Sequence, residues 1–504
     1  GDLNEVHRME TFDMDATNGF LDSKWYHLYC SVQRCNSALR VLNAATDEQV
    51  NGRVSRIAEM KVLRAHYYFE LSRLFNKIPY FDENVEISQY PDIPNNEFTR
   101  DEILSMLAKE MLDAAELLPA SQSEVGRIHK YIALAYAAKI KLYQAYQQDE
   151  TTHAVTSINK ELLREVVSLC DQVTASNRYG LLDDFQGLDL VANENGKESV
   201  FAIQYSMNDG TESAGRINWS NLLNSPGGGS PYGGDGFFLP SQDLINAYQT
   251  DANGLPDFNY QSKSDYSWAV LNNGVYTLQN TTPNVDPRLD FVVGRPTITW
   301  KTYPDKPCEG WVRDKDTYGY NCAKRFWVSP ESSDMFNGWP WGASQLNWQI
   351  IRYADILLWK AEALIELNEG NGLETARDLI NQIRNRARNS AYVKDFNDHS
   401  KYAANYLVNP YPADVWNQDY ARQALRWETR LEKALEGERF FDLVRWGIVE
   451  TTMNKYITAE SDNRIYYANA HFTGGKDEYY PVPNNQYGFS GGKYVQNPGY
   501  APFN

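Results

Sequence analysis

Residues 61–81 have the sequence KVLRAHYYFELSRLFNKIPYF, and this stretch sets the first constraint on the fold. One helical stripe, at spacings of three and four, carries six apolar or aromatic side chains: Leu63, Tyr67, Leu71, Leu74, Phe75 and Ile78. Tyr68 and Phe69 point away from that stripe. A surface helix has one apolar and one polar face, so this pattern predicts a helix packed on more than one side. Pro79 disfavours helical geometry at Ile78, and we predict that the helix ends there.

Helical periodicity continues on both sides of this stretch, from about Lys24 to Val173 and again after Asn347. Thr99 precedes an acidic turn, which is typical of a helix N-cap. Two further amphipathic helices flank Gly370-Asn371-Gly372, and a short glycine turn makes such helices an antiparallel pair. Stacked pairs of this kind form tetratricopeptide-type superhelices, in which each helix contacts its own partner and the next pair.

Residues 179–345 have a different composition, rich in Gly, Pro, Asn, Asp and Ser. The runs ESVFAIQYS and RPTITWKTY predict short strands, and NSPGGGSPYGGDG predicts a flexible loop. We therefore predict a mostly α fold, in which tetratricopeptide-like helical pairs carry a large insertion of loops and short strands. Three regions of one compact unit are expected: helical pairs over 1–178, the irregular region over 179–345, and helical pairs with a loop-like tail over 346–504.

The composition argues against several classes of protein. A net charge of −18 disfavours nucleic acid as a partner, because phosphates need a basic surface. No stretch approaches 18 consecutive apolar residues, so no transmembrane helix is predicted. The seven histidines form no H-E-x-x-H motif and no G-x-S-x-G occurs, so we expect no metal, no other cofactor and no enzyme activity. Cys308 and Cys322 flank a Gly/Tyr-rich segment, which allows either a disulfide or two free thiols.

Aromatic residues are unusually frequent, and eight of the 13 tryptophans lie between Trp219 and Trp348. An indole ring can stack on the flat face of a sugar, contributing about 1 kcal/mol, while polar side chains orient the hydroxyls. The alternative is that these rings attach the insertion to the helices. Trp339 and Trp341, flanked by glycines, are the first candidates for ligand contact. The predicted carbohydrate-binding residues are Trp339, Trp341, Trp268, Trp311, Tyr318, Tyr320, Trp327, Tyr80 and Tyr90.

Six segments, spaced over nearly the whole chain and in the expected order, resemble the SusD/RagB family of outer-membrane glycan-binding lipoproteins. They are LRAHYYFELSRLFNKIPYF (63–81), DPRLDFVVG (286–294), IIRYADILLWKAEALIELN (350–368), ARDLINQIRNRA (376–387), RWETRLEKALEGERFFDLVRWG (426–447) and YYPVPNNQ with VQNPGY (479–486 and 495–500). The charged residues of these segments are expected to hold neighbouring helices together rather than to bind ligand. They are Arg64, Arg352, Asp355, Glu362, Glu436, Arg439, Asp442 and Arg445.

The resemblance implies a fold, a function and a partner. The fold is four tetratricopeptide-like helical pairs that cradle a variable region. The function is non-catalytic capture of an oligosaccharide or polysaccharide on the cell surface, with delivery to a TonB-dependent barrel transporter of the SusC type. The location is the outer membrane of a Gram-negative, Bacteroidetes-type bacterium, through a lipidated N-terminal cysteine that would lie outside this sequence, since residue 1 is glycine.

Two alternatives to glycan binding stay open at this point. A tetratricopeptide-type scaffold would bind a protein or peptide in an open, polar groove. A glycoside hydrolase would need only two carboxylates at a suitable separation, and the chain has 66 Asp and Glu residues from which to supply them.

Overall fold

The computed structural model describes residues 3–211, 215–220, 227, 229–301, 303–339 and 341–503. The described residues form two compact units. The first unit comprises residues 3–177, 440–455 and 469–503, and the second comprises residues 178–439 and 456–468. The three regions expected above follow composition rather than contacts, and they stay a prediction. Every helix in the described part of the chain is too short or too polar to cross a membrane.

The structure is 44% helical and its strands are short, which confirms the mostly α class. The α-helices, in chain order, are α1 (Asn4–Glu10), α2 (Gly19–Ala44), α3 (Arg53–Phe75), α4 (Arg100–Leu117), α5 (Lys130–Ala145), α6 (Lys160–Ala175), α7 (Gln242–Ala247), α8 (Arg288–Val292), α9 (Lys315–Tyr318), α10 (Tyr353–Leu367), α11 (Gly372–Asn389), α12 (Gln418–Glu432), α13 (Arg439–Arg445), α14 (Val449–Glu460) and α15 (Asn484–Phe489). The strands are β1 (Tyr146–Gln148), β2 (Val155–Ile158), β3 (Ser199–Ile203), β4 (Gln249–Thr250), β5 (Ala269–Asn272), β6 (Val275–Leu278), β7 (Asn284–Val285), β8 (Val293–Gly294), β9 (Cys322–Ala323) and β10 (Trp348–Arg352).

In the first unit, helices α2 to α6 pack consecutively, each against the next. Helix α5 is buried along nearly its whole length, because its many alanines let neighbouring helices approach closely. Helix α4 begins at the predicted N-cap. The Thr99 hydroxyl accepts the amide hydrogen of Glu102, and the Glu102 carboxylate accepts the amide hydrogen of Thr99 at 2.8 Å.

Helix α3 packs against both α2 and α4, which confirms the two-sided packing predicted from its sequence. Its fully buried side chains include Tyr68 and Phe69, outside the predicted stripe. The helix ends at Phe75 rather than at Ile78, so the predicted end is wrong by three residues. The C-terminal segment causes the difference: the Tyr480 amide donates to the Leu74 carbonyl at 2.8 Å, and the Asn497 side chain donates to the Phe75 carbonyl at 2.7 Å.

The strands of the second unit form two-stranded antiparallel pairs, β3 with β10, β4 with β7, β5 with β6 and β8 with β9. Strand β3 lies in the ESVFAIQYS run, as predicted. Residues 348–352 form β10 against β3, so the helix expected after Asn347 begins only at Tyr353. The RPTITWKTY prediction is wrong for the described residues of 295–303, where only isolated bridges occur, because Ile298 and Trp300 are buried in separate cores instead.

Helices α10, α11 and α12 pack together in the second unit, and α10 and α11 form the predicted pair joined by a short turn. A network of buried arginines and carboxylates lies among them. Arg352 Nη1 is 2.6 Å from Glu432 and 3.0 Å from Glu198, and Arg386 pairs with the same two carboxylates. Such pairs hold neighbouring elements in register. Arg352 and Glu436, two of the charged residues expected to hold helices together, form an ion pair with each other at 2.9 Å.

Candidate functional site

Solvent exposure divides the eight tryptophans of the middle region into two groups. Four are exposed: Trp219 (46%), Trp268 (51%), Trp339 (61%) and Trp341 (49%). Trp300, Trp311 and Trp327 are buried, with at most 2% exposed, and Trp348 is half-buried. The region therefore uses some of its indoles as core and presents others to solvent.

The buried group forms a core with Tyr232 and Cys322. The rings of Trp300 and Trp311 meet edge to face at 5.4 Å, and the Tyr232 hydroxyl donates to the Val328 carbonyl at 2.6 Å. Trp311 and Trp327 were predicted as ligand contacts. The structure places both inside this core, so we assign them to the scaffold of the irregular region, which was the alternative interpretation of these rings.

Three of the predicted contact residues, Trp268, Tyr318 and Tyr320, line one cavity of about 250 Å³ in the second unit. The cavity is slightly smaller than pockets that enclose drug-sized ligands, which measure about 300–1,000 Å³. Its polar lining includes amide, carboxylate and basic groups, from Gln242, Lys315, Asp316, Asn321, Glu460, Asp462, Asn463 and Arg464.

Local structure explains how the rings reach this cavity. Asp314 caps the N-terminus of helix α9 by accepting the Thr317 amide hydrogen, and Gly319 then turns the chain with a φ of 76° between the two tyrosines. Trp268 immediately precedes β5, and its carbonyl accepts the Gln279 amide hydrogen at 2.7 Å. The β5–β6 hairpin turns at Asn273-Gly274, both with positive φ, as a type I′ hairpin turn requires.

Ring contacts extend the cavity wall on two sides. Tyr320 packs edge to face on Tyr276 of β6, with ring centroids 5.5 Å apart. Tyr318 lies 6.1 Å from Tyr466, and Tyr466 lies 4.7 Å from Tyr467. Tyr276 and Tyr466 therefore support the cavity rings.

Glu460 and Arg464 form a fixed part of the wall. The Glu460 carboxylate accepts the amide hydrogens of Gln242 and Asp243, both at 2.9 Å, and burial raises its pKa. Arg464 donates to Glu460 at 3.3 Å and to the Pro240 carbonyl at 3.1 Å. Because both charges have protein partners, the wall is organised before any ligand arrives. Among the described residues, His, Cys, Asp and Glu form no cluster suited to a metal ion.

A second exposed aromatic surface carries Trp339 and Trp341; Pro340 between them lies outside the described residues. Gly342 packs directly against the Trp327 ring, and Gly233 lies beneath the Trp341 indole. Trp219 comes from the adjoining segment, since the Asn218 amide donates to the Ser344 carbonyl at 2.8 Å. The predicted glycine-rich loop lies partly outside the described residues, at 224–226 and 228.

Tyr80 and Tyr90 belong to the first unit. Tyr90 is buried and stacks on Phe81 at 3.9 Å, while the Tyr80 ring lies 4.7 Å from Tyr68. Both rings thus pack within the first unit, and their contact with a ligand stays a prediction.

Several lining residues had no counterpart among the sequence-based predictions. Asp462, Asn463 and Arg464 lie more than 140 positions from Tyr318, next to a segment expected to be a loop-like tail. A local signal does exist for Tyr276, because Asn273-Gly274 between apolar residues is typical of a hairpin that brings β6 beside β5. Pairing across long sequence separations has no such signal.

Comparison with known proteins gives a consistent result at the level of family. A model described as the SusD family matches residues 197–500, and one described as "Starch-binding associating with outer membrane" matches residues 3–142. SusD-like protein P2 of Formosa agariphila is 24% identical over 499 residues, covering 98% of this chain and 83% of that protein.

Solved structures agree with this in fold. A SusD superfamily protein from Bacteroides vulgatus has a TM-score of 0.71 at 20% identity, with 99% of this chain and 90% of that chain covered. Surface glycan-binding protein A from Bacteroides thetaiotaomicron, in complex with laminarihexaose, has a TM-score of 0.66 at 19% identity, covering 98% and 88%. The family model spans more than half of the sequence, and the chain belongs to the SusD family.

Proposed function

We propose that this chain binds an oligosaccharide or polysaccharide at the cell surface without cleaving it. The observation that carries the proposal is the cavity of about 250 Å³ in which Trp268, Tyr318 and Tyr320 meet amide and charged side chains. Flat rings bury the C–H faces of sugars, and polar groups fix the hydroxyls. A cavity of this size suits the end or a short stretch of a glycan.

The ligand we expect is a neutral glycan. Lys315 and Arg464 face Asp316, Glu460 and Asp462 around the cavity, and Arg464 is already paired with Glu460. Neither sign of charge dominates the lining, while the whole chain carries a net charge of −18, which repels polyanions at longer range. The laminarihexaose complex of a protein with the same fold makes a neutral β-glucan the first ligand to test.

The proposed site has two parts. Trp268, Tyr318 and Tyr320 form the cavity, and the exposed Trp339 and Trp341 form a second contact surface for a longer chain. Trp311 and Trp327 are left to the scaffold, because their rings lie in a buried core, while contact of Tyr80 and Tyr90 with a ligand stays a prediction.

Membership of the SusD family supports the remaining elements of the proposal. The protein would be a lipoprotein on the outer membrane of a Bacteroidetes-type bacterium, and it would pass its glycan to a SusC-like TonB-dependent transporter. Co-purification of the two proteins from solubilised outer membranes tests this partner, and a chain that never associates with such a barrel contradicts it.

Affinity electrophoresis in native gels that contain laminarin or other plant, host and fungal polysaccharides tests glycan binding, with titration calorimetry on laminarihexaose. Replacing Trp268 with Ala should weaken binding at least about fivefold, the equivalent of about 1 kcal/mol. The Trp339→Ala/Trp341→Ala double variant should weaken binding to polysaccharide more than to a short oligosaccharide. Tyr402→Ala, an exposed ring of the same unit outside the cavity lining, is the matched control and should bind as the wild type.

Three outcomes would contradict the proposal. Loss of binding in Tyr402→Ala but not in Trp268→Ala would show that the glycan does not bind in the cavity. Shorter products after incubation with a bound oligosaccharide would identify a glycoside hydrolase. Failure to retain any polysaccharide, with capture of a peptide instead, would favour the tetratricopeptide-type scaffold.

A further inference from the structure

Two buried cysteines lie side by side at the base of the irregular region. Cys308 and Cys322 both have no exposed surface. Their Sγ atoms lie 3.8 Å and 3.5 Å from the same oxygen, the carbonyl of Gly294. In the structure both are thiols.

We propose that Cys308 and Cys322 form a disulfide bond in the mature protein. The geometry supports this pairing because both sulfurs are directed to one point in a close-packed core, beside Trp300 and Gly294. Strand pairing fixes the position of Cys322, since this residue of β9 lies opposite Gly294 of β8. Two sulfurs that share one carbonyl oxygen are close neighbours, as a disulfide requires.

The oxidation balances with a disulfide-carrying thiol oxidoreductase as the oxidant. The S–H bonds of Cys308 and Cys322 break and one Sγ–Sγ bond forms. The two electrons and two protons released reduce the S–S bond of the oxidant to two thiols. Burial raises the pKa of Cys308, so the folded protein holds it as an unreactive thiol. The bond therefore forms while the chain is still folding.

The other three cysteines are not arranged for pairing in this way. Cys30 and Cys35 lie on the same helix, α2, five residues apart. That separation is about 7.5 Å along a helix axis, beyond the reach of a disulfide. Cys170 is buried on α6. We therefore expect three free thiols and one disulfide.

The bond would enclose one of the segments that line the cavity. Residues 308–322 form a loop of 15 residues that contains Lys315, Asp316, Tyr318 and Tyr320 of the lining, and its ends would be tied together. Closing a loop restricts its unfolded conformations and keeps the two tyrosines in place. This consequence for ligand binding rests on the proposed function, whereas the bond itself does not.

Thiol counting tests the bond directly. The full chain is refolded in a glutathione redox buffer with a thiol oxidoreductase, denatured without reductant and alkylated with iodoacetamide. Three alkylated cysteines are expected, rising to five after reduction. Trypsin should release peptide 302–313 linked to peptide 316–324, because Lys306 is followed by proline and is not cleaved. Five alkylated cysteines without reductant would overturn the proposal, as would a linkage between any other pair.

Two variants separate this pairing from adventitious oxidation. Cys308→Ser should expose Cys322 and give four alkylated cysteines without reductant, while Cys30→Ser should give two. Both counts are made on denatured protein, so they hold even where a variant folds poorly. In the folded wild type, reduction should speed tryptic cleavage at Arg313 and Lys315, whether or not a glycan is ever found to bind. An unchanged cleavage rate would overturn the constraint on the loop.

Discussion

The helices around Phe69 in the first unit and those around Glu432 in the second unit fill their interiors with different chemistry. Phe69 meets the rings of Tyr136 and Tyr143 edge to face, at 5.8 Å and 5.0 Å. Glu432, with no exposed surface, instead meets the guanidinium groups of Arg352, Arg386 and Arg288. The immediate surroundings of Phe69 are thus aromatic rings, whereas those of Glu432 are buried charges.

The difference teaches which kind of change each interior tolerates. Apolar cores accept substitutions that conserve volume, usually at a cost below about 1.5 kcal/mol. A buried ion network depends on every partner, because removing one leaves another charge buried and uncompensated. In return, charge pairs allow one arrangement of the helices and disfavour others. Four experiments test this comparison, from the largest expected effect to the smallest.

Replacing Glu432 with Ala should have the largest effect. Burial alone would raise the pKa of Glu432, but Arg386, Arg352 and Arg288 lower it to about 2, so the carboxylate is charged in the folded protein. Loss of this carboxylate should lower the free energy of unfolding by about 3–5 kcal/mol, because it leaves the buried arginines without this partner charge. Urea unfolding followed by tryptophan fluorescence reports this, because eleven of the 13 tryptophans lie in residues 178–439.

The matched control is Asp183→Ala in the same unit, which breaks an exposed pair of Asp183 with Lys197 at 2.9 Å. Exposed pairs contribute at most about 1 kcal/mol. Equal losses in the two variants would contradict the distinction between buried and exposed charges.

Acid should destabilise the first unit through His153. Desolvation, together with Lys77 and Arg100, lowers the pKa of this buried histidine to about 4, against about 6.5 when unfolded. As the pH falls below 6.5 the unfolded chain takes up the proton first, so stability present above pH 6.5 is lost progressively down to pH 4. The expected loss is about 2–3 kcal/mol.

The variant His153→Asn removes the titration and suits the positive φ of 56° at this position. Its free energy of unfolding, measured by circular dichroism between pH 4 and pH 7.5, should fall less steeply with acid than that of the wild type. Parallel pH profiles would show that His153 does not contribute.

Raising the pH, rather than lowering it, should destabilise the second unit through Glu194. Burial raises its pKa to about 7, although the carboxylate accepts the Asn347 amide hydrogen at 2.5 Å. Unfolded, it ionises near pH 4.5, so the folded state loses stability as the pH rises from 4.5 through 7. Glu194→Gln should therefore match the wild type at pH 4.5 and exceed it by about 1–2 kcal/mol at pH 8, after screening by solvent. A Glu194→Gln variant that is less stable than the wild type at pH 8 would contradict this prediction.

The smallest effect should come from the helix caps, and here the two units should not differ. Thr99 caps α4 in the first unit, and Asn417 caps α12 in the second through its contact with the Tyr420 amide at 3.1 Å. Each change to Ala should cost about 1 kcal/mol, because a cap satisfies local backbone donors whatever fills the interior. Thermal unfolding of the two variants measures this, and a much larger cost in one unit would show that its cap is coupled to the core.

Much of the fold could be predicted because the apolar residues of a long helix recur at the same spacing in every turn. The apolar positions of α3, α10 and α11 identified them, and Thr99 marked the start of α4. Errors occurred where a distant segment decides the outcome. Trp348 to Arg352 pair with β3, about 150 residues earlier, and so form a strand, while the end of α3 depends on Asn497. Hydrophobic periodicity carries no information about such partners.

The site was predicted less completely than the fold. Tryptophans in an irregular region have no period that separates buried from exposed rings, so Trp268 and Trp327 were equally good candidates. The structure separates them, with 51% of Trp268 exposed and 1% of Trp327. Composition could indicate an aromatic surface, but only tertiary packing determines which rings form it.

The capping of α3 by Tyr480 and Asn497 has a consequence for how the protein is made. The Asn497–Phe75 bond joins residues 422 positions apart, so a ribosome must finish almost the whole sequence before the N-terminal helices gain these partners. Helices α10 to α12, by contrast, meet their neighbours within 80 residues and can assemble earlier. Helix α3 is therefore translated long before it reaches its final packing, and such incompletely packed chains are prone to aggregate.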